Sequence, residues 1–459
     1  MFRKARRLHF VGIGGSGMSG IAEVLRNLGY PVSGSDLAAT ETTRRLKRMK
    51  VRVHRGHRAS HVHGADVVVV STAVRPDNPE VVEARRLHVP VIPRAEMLAE
   101  LMRLKYGVAV AGAHGKTSTT AMIAEVLAAG GLDPTVVIGG RVGNLKSGAK
   151  LGKGELMVAE ADESDGSFLR MKPTIAVVTN IDREHLDHYR DLGEIQDAFV
   201  AFLGRVPFYG AAIVCLDDPN VRSILPRVDR KVVTYGQSSE ADVSAVDVEI
   251  EGFGSRFVAC RGGERLGRVR LTVPGRHSVH NALAAIAVGL ELDVRFATIA
   301  RALAGFRGVD RRFQKRGEAR GAVVVDDYGH HPTEIEATLR AAREGFGART
   351  VVVFQPHRFS RTHALLEEFG RAFFLADEVL VTDVYAAGEE AIVGADGQAV
   401  ADSLVRHGHP AARYVGSLDA ATREAARALR PGDLLLTLGA GDVWKVGERL
   451  VRRAGGRSR

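Results

Sequence analysis

The run Gly112-Ala113-His114-Gly115-Lys116-Thr117-Ser118 combines residue types that can hold a phosphate group. Its glycines let backbone N–H groups turn inward, Lys116 supplies a point charge, and the Thr117 hydroxyl can ligate Mg²⁺. An apolar stretch, residues 106–111, precedes the run, and a helix-forming stretch, residues 119–129, follows it. A strand and a helix N-terminus would therefore position the loop. Because Val110 stands where the longer form of the motif has a glycine, we predict a short phosphate-binding loop.

Acidic and histidine residues follow two further apolar stretches. The stretch 156–159 ends in Glu160, with Asp162 and Glu163 close behind. An acidic strand end of this kind often faces a phosphate loop and binds its Mg²⁺, so Glu160 is the first candidate ligand and the other two are reserves. The end of the stretch 174–181 is crowded with polar residues, at a strand end where ligands gather in open α/β sheets: Asn180, Asp182, Glu184, His185, Asp187 and His188. Their order is not H-E-x-x-H, which disfavours a zinc hydrolase.

A second glycine motif lies near the N-terminus. Gly12-Ile13-Gly14-Gly15-Ser16-Gly17 satisfies G-x-G-x-x-G between an apolar strand, residues 8–13, and a helix near 18–28. Asp36 stands about twenty residues later, where an acid would meet a ribose. The pattern predicts a pyrophosphate-binding turn, with the ligand open between a dinucleotide and a UDP-sugar. The nearby His54, His57, His61 and His63 match no regular helix face, which disfavours a metal site there.

These motifs divide the chain into three α/β modules. We predict a Rossmann-like N-terminal domain over 1–104, a central P-loop ATPase domain over 105–310, and a Rossmann-like C-terminal domain over 311–459. Alternating residues at 241–274, with a turn at Gly262-Gly263, predict an antiparallel annex to the central domain. In the third module, Arg358 and Arg361 follow the apolar strand 350–354, where they would bind a carboxylate or phosphate or lie in a solvated loop.

Composition limits the function classes. The chain has 459 residues, 45% of them hydrophobic and 26% charged, as in a globular protein of about three domains. No apolar run of about 18 residues and no signal-peptide pattern is present, so we expect a cytoplasmic protein without membrane insertion. Cys215 and Cys260 are too few for a disulfide framework. The net charge of +10 is spread out, which fits anionic small substrates and argues against nucleic acid.

Six separated motifs resemble the ATP-dependent Mur ligases of peptidoglycan synthesis. They are residues 9–20, residues 112–120, Glu160-Ala161-Asp162-Glu163-Ser164-Asp165, His185-Leu186-Asp187-His188-Tyr189, Asp326-Asp327-Tyr328-Gly329-His330-His331-Pro332 and Gln355-Pro356-His357-Arg358. The fifth motif, with the early Gly-Ile-Gly-Gly-Ser-Gly-Met run, favours the alanine-adding member of the family. The resemblance implies ATP-dependent ligation of L-alanine to the lactyl carboxylate of UDP-N-acetylmuramate through an acyl phosphate, giving ADP and phosphate.

The resemblance also implies roles for individual residues. Lys116, Glu160, His185 and Arg312 would be catalytic, with Thr117 and Glu160 on one Mg²⁺, or Mn²⁺, and His185 on a second metal. Asn281, Arg312 and Asp327 would complete the ATP site of the loop Gly112–Ser118. The UDP moiety would meet Gly14, Gly15, Ser16, Gly17, Met18, Ser19, Asp36 and Ser71. His330 or His331, with Arg358 and Arg361, would bind the amino-acid carboxylate. Ser278 replaces the asparagine usual in the family, so one adenine-side hydrogen bond is expected to be lost or shifted.

Three alternatives stay open at this point, as does the choice between a monomer and a homodimer. A peptide-recycling ligase of the same fold would attach a preformed tripeptide to the same UDP-sugar. An NAD-dependent oxidoreductase would use the turn at Gly12–Gly17 but leaves Lys116, Glu160 and His185 unexplained. A nucleic-acid-binding protein would rely on the basic charge alone.

Overall fold

A computed structural model of the chain describes residues 6–71, 73–139, 148–185 and 188–455. Leu186 and Asp187 of the fourth motif lie outside the described residues. The chain forms two compact units. The first comprises Met1–Val246, Val258–Val269 and His280–Arg307, and the second comprises Asp247–Phe257, Arg270–Val279 and Gly308–Arg459.

The first unit begins with a five-stranded parallel sheet. Its strands are β1 (Leu8–Val11), β2 (Val32–Asp36), β3 (Arg52–Arg55), β4 (Val67–Val70) and β5 (Val91–Pro93), and its helices are α1 (Ser16–Asn27), α2 (Glu41–Arg48), α3 (Pro79–Arg86) and α4 (Arg94–Met102). The spatial order is β3-β2-β1-β4-β5, with every pairing parallel. The order reverses between β1 and β4, and open sheets bind ligands beside the carboxyl ends of the strands at such a point.

Strand β1 shows why the two faces of this sheet differ. Leu8 and Phe10 point into the main apolar core of the first unit, and Val11 joins a smaller cluster on the opposite face. His9 alternates with Phe10 and is fully buried on the side of Val11. The second face therefore contains a buried titratable group next to a small apolar core.

A ten-stranded sheet continues the chain. Its strands are β6 (Tyr106–Ala111), β7 (Thr135–Val137), β8 (Ala149–Lys150), β9 (Leu156–Glu160), β10 (Ile175–Val178), β11 (Ala211–Cys215), β12 (Val232–Gly236), β13 (Val243–Glu251), β14 (Gly254–Arg261) and β15 (Glu264–Leu271). The helices are α5 (Lys116–Ala129), α6 (Leu192–Leu203), α7 (Pro219–Ile224), α8 (Arg276–Glu291) and α9 (Phe296–Gly305). The order is β15-β14-β13-β12-β11-β10-β6-β9-β7-β8. Strand β6 pairs in parallel with β10 and β9, so the ends of these three strands meet at one edge.

Strands β13 to β15 form the predicted antiparallel annex. They are neighbours in the sheet and are joined by two-residue connections, which only antiparallel strands allow. In the second connection Gly262 and Gly263 have φ values of 55° and 82°. A type I′ hairpin turn needs positive φ at both central residues, so the turn prediction at these two glycines is confirmed.

The second unit contains a six-stranded sheet. Its strands are β16 (Gln314–Ala319), β17 (Ala322–Asp327), β18 (Thr350–Phe354), β19 (Glu378–Thr382), β20 (Ala412–Gly416) and β21 (Leu434–Leu438). The helices are α10 (Pro332–Phe346), α11 (Phe359–Ala364), α12 (Leu366–Ala372), α13 (Gly397–Arg406), α14 (Leu418–Ala428) and α15 (Trp444–Gly455). The order is β16-β17-β21-β18-β19-β20, and only β16 runs antiparallel to its neighbour. Apolar clusters cover both faces, as in a doubly wound α/β domain.

Three sheets covered by helices follow one another along the chain, and they confirm the predicted α/β fold class. Across the ranges 6–71, 73–139, 148–185 and 188–455, no helix has the length and hydropathy needed to cross a bilayer.

Candidate active site

The phosphate loop connects β6 to α5. The helix begins at Lys116, three residues earlier than the sequence pattern indicated, so Lys116 and Thr117 lie in its first turn. Gly112 and Gly115 have φ values of 131° and 81°. A Cβ on Gly112 would overlap the Thr179 hydroxyl, and one on Gly115 would lie 2.8 Å from Asn281 Oδ1. Both positions therefore need glycine, and the loop has the backbone that an anion-binding helix N-terminus requires.

Residues after β10 hold this loop in place. The His114 N–H donates to Asn180 Oδ1 at 2.8 Å, and the His114 carbonyl accepts from Thr179 Oγ1 at 2.6 Å and from Asn180 Nδ2 at 3.0 Å. The His114 ring lies 2.9 Å from Asp182 Oδ2. Sequence analysis included Asn180 among the polar residues at this strand end but gave Thr179 no role, because Thr179 fell within the apolar stretch 174–181.

Lys116 is half-buried beside carboxylates. Its Nζ donates to Glu163 Oε1 at 2.7 Å, to the Gly112 carbonyl at 2.5 Å and to the Ala113 carbonyl at 3.2 Å. Burial disfavours the charged amine, but Glu163, Asp162 and Glu184 outweigh it and raise the pKa of Lys116. The lysine is therefore a permanent cation, neutralised here by Glu163 and available to a phosphate at the same loop.

Glu163, Glu184 and His185 form a cluster with metal-ligand character. Their ligand atoms all lie within 4.8 Å of one another, with His185 Nε2 3.6 Å from Glu163 Oε1 and 3.7 Å from Glu184 Oε2. Burial opposes protonation of His185, but the two carboxylates raise its pKa. Glu163 Oε2 is buried and has no hydrogen-bond partner among the described residues. Two carboxylates, an imidazole and an unsatisfied buried oxygen fit a divalent cation.

Two other predicted metal ligands occupy neighbouring positions. Glu160 is the last residue of β9, and its Oε1 accepts from the Gly139 N–H at 3.0 Å. Thr117 lies half-buried in the first turn of α5. The structure thus brings the reserve acid Glu163 to Lys116 and His185, and metal binding by Glu160 and Thr117 stays a prediction.

Helix α8 reaches the loop through Asn281. The Thr119 hydroxyl donates to Asn281 Oδ1 at 3.0 Å, and both residues are buried. This contact places Asn281 against the first turn of α5, as its predicted role in nucleotide binding requires. The Ser278 hydroxyl donates to the Pro274 carbonyl at 2.7 Å, so this serine provides a hydrogen bond to a backbone carbonyl in the segment that leads into α8.

The predicted UDP-sugar turn follows β1 at the reversal of strand order. Gly12 and Ile13 each donate to the Ser35 carbonyl at 2.9 Å, and Gly15 donates back to Gly12 at 3.1 Å. Asp36 Oδ2 accepts from the Gly14 N–H at 2.8 Å, so in this structure the Asp36 carboxylate stabilises the backbone of the turn.

The other predicted UDP-sugar residues lie on elements of the same sheet. Ser16, Gly17, Met18 and Ser19 lie on α1, where Met18 and Ser19 are buried, and half-buried Ser71 follows β4. The structure brings these elements to one edge of the sheet, and their contact with a sugar nucleotide stays a prediction.

A buried network lies behind this turn. Glu80 is fully buried on α3, and Ser35 Oγ donates to its Oε2 at 2.5 Å. His61 Nδ1 lies 2.6 Å from Glu80 Oε1, and His57 Nδ1 and His9 Nε2 lie 3.3 and 3.6 Å from Oε2. Burial raises the pKa of Glu80, but the nearby His9 ring and the hydrogen bonds with Ser35 and His61 outweigh burial and lower the pKa to about 2. Sequence analysis assigned no role to His9, His57 and His61, and in the structure all three surround one carboxylate.

A second polar group lies at the carboxyl ends of β17 and β18. The His330 N–H donates to Glu334 Oε2 at 3.1 Å, and the His330 ring lies 5.7 Å from the His357 ring. His357 stacks on Tyr385 with the ring centroids 5.4 Å apart. Burial lowers the pKa of His357 to about 3, and His330 and nearby arginines add to the shift. His357 is therefore neutral at pH 7, and sequence analysis had not assigned it or Tyr385 to the site.

The remaining amino-acid candidates border this group. Arg358 has a φ of 70°, and its N–H donates to the Tyr385 carbonyl at 2.9 Å. Its side chain is about half exposed, Arg361 lies on α11, and His331 is buried at the N-cap of α10. Arg358 and His330 thus share one edge of the sheet, and binding of an amino-acid carboxylate there stays a prediction.

Arg312 and Asp327 support the backbone of the second unit. Arg312 Nη1 donates to Glu334 Oε1 at 3.2 Å. Burial lowers the pKa of Arg312, but the carboxylates of Glu334 and Asp327 outweigh burial and raise the pKa. Asp327 accepts from the N–H groups of Phe313 and Gly329, both at 2.7 Å. Burial raises the pKa of Asp327. The nucleotide-binding roles of both residues stay predictions.

A parallel α/β sheet with a glycine loop, a lysine in the following helix turn and carboxylates at adjacent strand ends defines a nucleotide-binding protein of the P-loop class. Models of the Mur ligase family, catalytic domain, of the Mur ligase middle domain, and of the Mur ligase, glutamate ligase domain match residues 7–106, 110–289 and 311–441 in turn. The chain belongs to the Mur ligase family, whose members are ATP-dependent amide-forming ligases.

Individual proteins of this family are similar to the chain over nearly its full length. The chain is 58% identical to the UDP-N-acetylmuramate–L-alanine ligase of Geobacter sp. strain M21, over 99% of this chain and 98% of that protein. It is 59% identical to the ligase of the same name from Myxococcus xanthus, over 98% and 95%. The solved UDP-N-acetylmuramate-alanine ligase from Thermotoga maritima is 33% identical with a TM-score of 0.83, over 99% of this chain and 100% of that one.

Proposed function

We propose that this chain joins L-alanine to the lactyl carboxylate of UDP-N-acetylmuramate at the expense of ATP, in peptidoglycan precursor synthesis. The observation that carries the proposal is the 58% identity, across 99% of the chain, to a curated ligase named for these two substrates. The loop of Lys116 and the turn of Gly14 supply one site for each nucleotide that the reaction needs.

The recycling alternative has weaker support. The solved UDP-N-acetylmuramate:L-alanyl-γ-D-glutamyl-meso-diaminopimelate ligase from Neisseria meningitides is 29% identical over 67% of this chain, with a TM-score of 0.62. The alanine ligase from Thermotoga maritima is more similar on identity, coverage and TM-score. We therefore assign L-alanine as the acceptor and keep the tripeptide as an outcome of the test.

The proposed reaction has two steps whose atoms balance. A lactyl carboxylate oxygen attacks the γ-phosphorus of ATP, and the bond from that phosphorus to the bridging β–γ oxygen breaks. The products of this step are ADP and the acyl phosphate of the sugar nucleotide. The alanine amine then attacks the acyl carbon, loses a proton, and expels phosphate. Charge accumulates on phosphoryl oxygens in the first step, so the residues that matter most are fixed cations and N–H donors.

Lys116 is the fixed cation of this site. Its Nζ lies within 3.2 Å of two loop carbonyls and of Glu163, so its position is held before any ligand arrives. The N-terminus of the 14-residue helix α5 lies at the same loop and adds the positive end of its dipole. We expect these groups to hold the β- and γ-phosphates.

The metal fit supports the same assignment. A divalent cation at Glu163, Glu184 and His185, Mg²⁺ or Mn²⁺, would neutralise charge on the transferred phosphoryl group. The three side chains of this chain orient one another, since both carboxylates lie within 3.7 Å of the same imidazole nitrogen. Thr117 and Glu160 stay the predicted ligands of a further ion. The cytoplasmic location, the oligomeric state and the domain boundaries at 104/105 and 310/311 stay predictions as well.

The test is phosphate release from ATP and Mg²⁺ with UDP-N-acetylmuramate, in separate reactions with L-alanine, glycine, L-serine or a muropeptide-type tripeptide. We expect release to require both the sugar nucleotide and L-alanine, and to fall at least about 100-fold in Lys116→Ala. Lys150→Ala is the matched control, because Lys150 pairs with Asp133 away from the loop. Release with the tripeptide alone would assign the chain to recycling, and release independent of the sugar would refute the proposal.

A further inference from the structure

Arg94 lies between the two nucleotide elements of the first unit. It is the first residue of α4, and its Nη2 donates to Asp162 Oδ2 at 2.8 Å. A Cβ on Gly17 would overlap the Arg94 guanidinium, so the side chain lies directly against the first turn of α1. Arg94 therefore connects the turn after β1 with the acidic loop after β9.

The acidic partner leads on to the phosphate loop. Asp162 is next in sequence to Glu163, which pairs with Lys116 at 2.7 Å. Asp162 thus connects Arg94 at one nucleotide element with the Glu163–Lys116 pair at the other.

The guanidinium has donors to spare for a ligand. It carries five N–H donors, and within the described part of the chain its hydrogen bond to Asp162 is the one that it makes. About 29% of the side chain is exposed, so a solute can reach it. It also lies at the positive end of α1, where a second positive charge is unfavourable until an anion is bound.

We propose that Arg94 is a substrate-binding residue that holds the diphosphate of the UDP-sugar against the turn after β1. Asp162 would fix the position of Arg94 relative to the phosphate loop. The inference rests on the proposed function. A planar guanidinium suits two phosphate oxygens at once, which a lysine at this position would not match. Asp162 acts through Arg94 and is a positioning residue.

Calorimetric binding of UDP-N-acetylmuramate, UDP and UMP to the full chain tests the first part. We expect Arg94→Ala to weaken UDP and UDP-N-acetylmuramate alike by about 10- to 100-fold, to leave UMP within threefold, and to leave ATP within threefold. Arg94→Lys should recover part of the loss. A larger loss for UDP-N-acetylmuramate than for UDP would place Arg94 on the lactyl carboxylate and overturn the diphosphate assignment.

A matched control separates binding from packing. Arg170 pairs with Glu96 at 2.6 Å, so it too ties α4 to the segment after β9. Arg170→Ala should leave UDP affinity unchanged; an equal loss in both arginine variants would show that α4 docking is responsible and would overturn the inference. Wild-type binding that Arg94→Ala leaves intact would overturn this inference alone, whereas a wild type that binds no UDP compound would overturn the proposed function with it.

Steady-state kinetics test the role of Asp162. We expect Asp162→Asn to lower kcat about 10-fold or more while UDP affinity stays within threefold. The contact of Arg94 with the diphosphate would remain, but the diphosphate would no longer be held at a fixed position relative to the phosphate loop. A variant with normal kcat would remove Asp162 from the inference.

Discussion

Replacing Glu80 by glutamine is expected to loosen the first sheet while leaving the third sheet unchanged. The Glu80 side chain is fully buried and touches three imidazoles and the Ser35 hydroxyl. Removing one partner from a buried charge network costs about 3–5 kcal/mol. The fall in the pKa of Glu80 from 4.5 to about 2 corresponds independently to about 3 kcal/mol.

Hydrogen exchange followed by mass spectrometry is the assay, because a chain with two units need not unfold in one step. Where exchange follows the opening equilibrium, a loss of about 3 kcal/mol should speed exchange of β1 and β2 amides about 100-fold at pH 7. Peptides from β18 and β21 should be unaffected. Glu83→Gln is the control, since Glu83 lies on the same helix and pairs with His63 and Arg86 nearer the surface. Exchange in β1 that changes less than threefold would refute the reasoning.

The pH dependence of this effect has a definite sign. The folded-state pKa of Glu80 lies below its unfolded value of 4.5, so its stabilisation is complete above that pH and is lost as the pH falls towards about 2. The ratio of opening constants between Glu80→Gln and wild type should therefore be about fourfold smaller at pH 4 than at pH 7. A ratio that grows on acidification would contradict the assigned charge state.

Two further substitutions test other parts of the structure. Gly115→Ala should weaken binding of a fluorescent ATP analogue at least about 10-fold and leave UDP affinity unchanged, because φ is 81° there and the new Cβ would lie 2.8 Å from Asn281 Oδ1. Normal ATP affinity in this variant would refute the loop geometry. Arg311→Lys should destabilise β17 and β21 by about 1–3 kcal/mol in hydrogen exchange, because the carbonyls of Gly439 and Gly441 lose their guanidinium donors at 2.6 and 3.0 Å. Unchanged exchange there would show that lysine or water replaces both bonds.

Strands that are apolar on both faces could be predicted closely from the sequence. The bounds of β6 and β18 agree with the apolar stretches 106–111 and 350–354 residue for residue, because a central parallel strand is buried on both sides. Strands β7, β8, β12, β16 and β20 were not predicted. Strands β16 and β20 are half-exposed sheet edges and β12 is only partly buried, so their residues carry no continuous apolar signal.

The sequence by itself determined the two glycine loops, the order of the three α/β modules and the family, because each loop depends on neighbouring residues whose spacing is local. Only the tertiary structure decided which distant side chains meet. It brought Glu163, rather than Glu160, to Lys116, gathered His9, His57 and His61 around Glu80, and placed Arg94 beside Asp162. These contacts join residues that are tens of positions apart. They depend on strand order and on which strand ends share an edge, and no local spacing encodes either one.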